Sequence, residues 1–133
     1  MNKDSISIHE QETITIFIKR IGEFSILNMS FPVEHHLRQA YRLCYHAILT
    51  INYGAEIHFV DDEGVVRESL WGVFSDNGFN KAIGSDPQKE LYSLSNSMQE
   101  FINKASLHPI TKHSLQLSCN EVLLAYLNMR VQL

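Results

Sequence analysis

Seven histidines, two cysteines and fifteen carboxylates are this chain's groups able to hold a metal, move a proton or attack an electrophile. Their spacing limits what they can do. His35 and His46 fall near one side of a helix, but eleven residues at about 1.5 Å each separate them by roughly 16 Å, too far for a shared ion. Adjacent His35 and His36 diverge by about 100° around the axis. No two histidines stand at i,i+4, the spacing that marks a helical metal site. His9, His35, His36, His46, His58, His108 and His113 are therefore read as solvated or core-edge side chains, and neither a metal nor a cofactor is expected.

His58 is followed by Asp61 and Asp62, and a carboxylate can orient an imidazole for acid or base work. The simpler reading makes His58 part of a half-buried strand, alternating with Ile57 and Phe59, and the two acids the turn that ends it. Cys44 could act as a nucleophile beside a histidine, but it sits on an apolar stripe between Tyr41 and Ile48, where burial raises a thiol's pKa. Cys44 and Cys119, far apart in sequence, form neither a disulfide framework nor a CxxC half-site and are read as small buried hydrophobes. There is no G-x-S-x-G, no phosphate-cradling glycine loop and no HExxH. The chain is not expected to be an enzyme; the alternative is a small hydrolase with a site assembled from scattered His and acidic residues.

Charge gives the stronger hint. Between Glu56 and Glu90 eight acids face only Arg67, Lys81 and Lys89, a local −5 in a chain of net −4. Asp61, Asp62, Glu63, Glu68 and Asp76 cluster around Trp71 to Phe74, and acids beside aromatics suit a basic protein partner. Asp61, Asp62, Glu63, Glu68, Trp71 and Asp76 are the expected partner-binding residues. A second stripe, Arg38, Arg42, Tyr45 and Leu49, is read first as arginines covering apolar surface and second as a protein contact. Basic residues are otherwise dispersed and the pI is near 5.9, which disfavours nucleic acid. The functional expectation is an inhibitor of a basic protein, in the manner of an immunity protein or antitoxin, with a secretion chaperone or adaptor as the alternative. Monomer or small homo-oligomer is expected.

The elements that must position these residues are read from hydrophobic period. Length and a 44% hydrophobic content suit one globular domain over 1–133. No run reaches the roughly 18 apolar residues of a membrane helix, and residues 1–12 lack the apolar stretch of a secretory signal, so a cytoplasmic protein without membrane contact is expected. Ile14, Ile16 and Ile18 alternate with Thr13, Thr15 and Phe17 as in a strand, Gly22 supplies a turn, and Phe24 to Phe31 forms a second strand. After Pro32, Leu37, Ala40, Tyr41, Cys44, Ala47, Ile48 and Ile51 define a helix from about Val33 to Asn52, with Glu34 and Arg38 paired on it. Ala55 to Val60 and Val65 to Phe74 form a hairpin around Asp61-Asp62-Glu63-Gly64. Asp86-Pro87 starts a helix running to about Ser106, which Pro109 prevents from continuing. His113 to Leu117 alternates like a strand, and Ser118 with Glu121 makes a capping box before a last helix to Arg130. The order ββαββαβα predicts an α+β fold, a mainly antiparallel sheet with two to three helices on one face. Its expected core comprises Ile14, Ile16, Ile18, Leu37, Tyr41, Cys44, Ile48, Ile57, Phe59, Leu94, Met98, Phe101 and Ile102.

Overall fold

The computed structural model describes residues 3–24, 29–53 and 86–131, and among them the chain is helical with no strand. Four helices follow in order: α1 (Lys3–Glu23), α2 (Phe31–Tyr53), α3 (Pro87–Lys104) and α4 (Pro109–Val131). The α+β expectation is overturned. The expected hairpin over 55–74 lies outside the described residues.

α1 occupies the place of the first expected strand. Its sequence carries two periods at once, because Thr13 to Ile18 is nearly continuous in β-branched and apolar residues. The helical period is the one that buries side chains: Ile14, Phe17, Ile18, Ile21 and Phe24 enter the core, while Ile16 stands 63% exposed. The threonines that favoured a strand are accommodated by bonding back along the helix, Thr13 to the His9 carbonyl at 3.1 Å and Thr15 to that of Gln11 at 2.7 Å. Gly22 lies buried inside α1 and makes no turn.

α2 follows its predicted stripe. Leu37, Ala40, Tyr41, Cys44 and Ala47 are fully buried, with Ile48 and Ile51 packed at the edge. Glu34 and Arg38 pair at 2.8 Å. α3 begins as read, with the Asp86 carboxylate accepting the Lys89 amide at 3.1 Å and proline in the first turn. It buries Leu91, Leu94, Met98 and Ile102.

At the C-terminal end the expected strand and helix are one helix. Pro109 opens α4 instead of merely ending α3, since proline at a first turn loses no hydrogen bond. His108 caps it, its Nδ1 accepting the Ile110 amide at 3.2 Å and its carbonyl the Lys112 amide at 2.8 Å. The Ser118 and Glu121 capping box does not form. Ser118 lies mid-helix and donates to the Ala40 carbonyl of α2 at 2.7 Å, and Glu121 meets His36 of α2 at 3.0 Å.

α2 packs most extensively on α4, α4 also on α3, α1 on α2, and α1 lightly on α3. All four contribute to one core. Small side chains at the crossings let backbones approach closely enough for side chains to reach a neighbour's carbonyl: Ser118 to Ala40, Cys119 to Ser95 at 3.3 Å, and Cys44 toward Ile14 at 3.9 Å. Arg20 adds a link at the surface, bridging Glu23 of its own helix at 2.7 Å and Glu90 of α3.

Candidate functional site

Two features among the described residues stand outside the packing of the core. The first is a cleft of about 770 Å³ between α1 and the C-terminal half of α3, a volume in the range of small-molecule sites. Glu10, Thr13 and Phe17 line it at i, i+3 and i+7 of α1, and Ser97, Phe101 and Lys104 at i, i+4 and i+7 of α3. Helical geometry places each trio on one face. Phe17 and Phe101 meet edge to face with centroids 5.7 Å apart. Glu10 is 7% exposed and its Oε2 is buried without a hydrogen-bond partner. Burial raises its pKa above the ordinary carboxylate value, an effect that His9 partly offsets. Glu100 and Lys104 pair with each other at 2.8 Å at the mouth.

Sequence reasoning missed this cleft. A two-residue period puts Glu10 on the opposite face from Thr13 and Phe17, so reading α1 as a strand separates the residues that its helical form brings together.

The second feature is the outward side of α4. Ile110, Leu117, Leu123, Leu124 and Leu127 are 38–42% exposed, opposite the face that buries Leu115, Ser118, Val122 and Ala125. Ile110, Leu117 and Leu124 repeat at seven, so they lie close to one line along the helix. From His113 to Met129 the only Asp, Glu, Lys or Arg is Glu121, and it is held by His36. Tyr92 and Tyr126, 5.1 Å apart, extend apolar surface toward α3.

The expected partner-binding residues Asp61, Asp62, Glu63, Glu68, Trp71 and Asp76 lie outside the described residues, as does His58. The second stripe proves mostly occupied: Leu49 is buried, Tyr45 packs edge-on against Tyr41, Arg38 holds Glu34, and Arg42 donates to Gln39 at 3.2 Å. Of the acids in 56–90, Asp86 caps α3 and Glu90 is matched by Arg20.

Neither a family model, nor a curated protein, nor a solved structure matches the chain.

The remaining candidate groups are placed by packing. His46 is buried with Nδ1 2.5 Å from the Ser114 hydroxyl, Thr50 and Thr111 share a hydrogen bond at 2.5 Å beside it, and His35 stacks on Phe31. The His46–Ser114 and Thr50–Thr111 contacts form a polar seam between α2 and α4. No three of the described His, Cys, Asp and Glu side chains converge as a metal site would require. Burial pushes the Cys44 thiol up to about 12 and also raises that of Cys119, the opposite of nucleophile activation. No helix among the described residues is long and apolar enough to cross a membrane.

Proposed function

We propose that this protein is a non-enzymatic binding module that docks a basic protein partner, in the manner of an immunity protein or antitoxin. The observation that carries the reading is the outward side of α4, where Ile110, Leu117, Leu123, Leu124 and Leu127 stand exposed and, from His113 to Met129, no charge but the paired Glu121 occurs. Such an exposed apolar stripe marks an interface. The partner's sign comes from charge complementarity. Glu56, Asp61, Asp62, Glu63, Glu68 and Asp76 are opposed within 56–85 only by Arg67 and Lys81, so this stretch carries the chain's negative excess. Apolar contact sets how long the complex lasts, and the carboxylates set how fast it forms.

The test is to crosslink the protein in its source cell, identify and purify the captured partner, and measure its binding kinetics. The expected partner is basic. Asp61→Lys with Asp62→Lys should slow association by about tenfold or more at low salt, with the difference fading at high salt. Leu117→Asp with Leu124→Asp should instead speed dissociation by about tenfold or more without lowering the melting temperature. A partner that lacks a basic surface overturns the proposal, as does self-association through α4 in place of a partner, or binding that neither pair of substitutions alters.

A further inference from the structure

We propose that the cleft between α1 and α3 binds a small organic cation, with the ammonium head on Glu10 and an aromatic or aliphatic body against Phe17 and Phe101. This site is separate from the α4 face, and the inference stands or falls independently of the partner-binding reading.

Glu10 defines the chemistry. Its side chain is more than nine-tenths buried, lines the cleft, and leaves Oε2 without a hydrogen-bond donor. A buried carboxylate oxygen left unmatched is costly, and a donor brought by a ligand removes that cost. The other polar groups of the cleft do not supply one. Lys104, the only Lys or Arg lining it among the described residues, is engaged by Glu100 at 2.8 Å. The Thr13 hydroxyl proton is directed to the His9 carbonyl at 3.1 Å, so its oxygen faces a ligand as an acceptor. His9 adds an imidazole on the same helix. Among the described lining residues, two carboxylates against one ammonium give a formal charge of −1 with His9 neutral, which disfavours an anionic ligand.

The aromatic pair sets the other end of the ligand. Phe17 is buried and Phe101 half-buried; they meet edge to face, and both rings line the cleft that Glu10 lines. Ring faces attract cations and cover apolar bodies, so one molecule carrying both parts uses the whole cleft. A bare metal ion would find a single buried carboxylate, too few ligands for a hard cation.

The binding should depend on pH through Glu10, faced by His9 from α1 and by Glu100 and Lys104 from α3. A carboxyl whose proton is held above the ordinary value of 4.5 must lose it to pair with an ammonium. Affinity therefore rises with pH through the Glu10 titration and then levels.

The experiment uses three probes with the same body and different heads: phenethylammonium, hydrocinnamate and phenethyl alcohol. Each is titrated into the full-length protein and followed by heteronuclear NMR. Phenethylammonium should saturate, with the largest shifts on α1 near Glu10 and on α3 near Phe101. The alcohol and the carboxylate should each bind at least about tenfold more weakly. Glu10→Gln, nearly isosteric, should lower phenethylammonium affinity at least about tenfold and abolish its pH dependence. Its melting temperature should not fall, which separates lost recognition from lost folding. Equal binding of the three probes, undiminished binding by Glu10→Gln, or no saturation at concentrations of order 10 mM overturns the proposal.

Discussion

At neutral pH Glu10 is asked to ionise where burial opposes its charge, and the consequence for stability has a definite sign. Its folded pKa is raised, so the folded chain keeps a proton that the unfolded chain has already released. Stability therefore falls as pH rises from the ordinary value of 4.5 through the folded value, and above both the penalty is constant. Glu10→Gln is expected to melt higher than the wild type at neutral pH, because a buried amide costs less than a buried charge. The gain should vanish as the pH drops below about 4, where both forms are neutral. Thermal melts across the acid range check this, and an unchanged neutral melting point would count against it. Cys44 gives a second test at this scale. Burial pushes its thiol from the ordinary 9.0 up to about 12, drawn back only in part by Ser118. Alkylation by iodoacetamide at mildly alkaline pH should be about 1,000-fold slower in the native protein than in urea, on thiolate fraction alone. Labelling followed by mass spectrometry measures it.

Helices whose apolar residues recur only at three and four were legible in the sequence, as were those opened by side-chain chemistry. α2 shows its stripe from Leu37 to Ala47, and α3 its Asp86-Pro87 start. α1 and α4 were not, for different physical reasons. In α1, β-branched residues fill consecutive positions and satisfy both periods, and only the choice between burying Ile16 and burying Ile21 separates them. Tertiary packing makes that choice. In α4 the two signals that suggested a break were both real interactions with another helix: Ser118 and Glu121 bond to α2 rather than to their own helix end. A sequence does not show which partner a hydroxyl will find. Ser118→Ala should cost about 1 kcal/mol by removing the interhelical hydrogen bond to the Ala40 carbonyl. Asp86→Ala should cost about the same by uncapping α3, and urea unfolding measures both. The cleft was illegible because it inherits the misreading of α1, while Phe101, which was legible as an apolar position on α3, is one of its walls.

Over the whole molecule, the core is shared among four helices, and substitution should reveal where it is densest. Leu115→Ala and Met98→Ala, at fully buried positions, are each expected to cost about 2 to 5 kcal/mol, whereas Ile16→Gln should fall within about 0.5 kcal/mol of the wild type. Reversed rankings in urea unfolding would argue for the strand parity of Ile14, Ile16 and Ile18. The connectivity adds a constraint of its own. The most extensive packing in the molecule joins α2 to α4, so the buried face of α2 is closed by the helix made last among the four. On the ribosome, Leu37, Ala40 and Tyr41 emerge well before Ser118 and Val122 exist to cover them. Folding cannot be completed in step with synthesis, and the nascent chain passes through an interval in which α2 offers an open apolar face to any holding chaperone. A chain arrested after His108 should accordingly stay protease-sensitive, and a peptide of residues 109–131 added in trans should restore its protection.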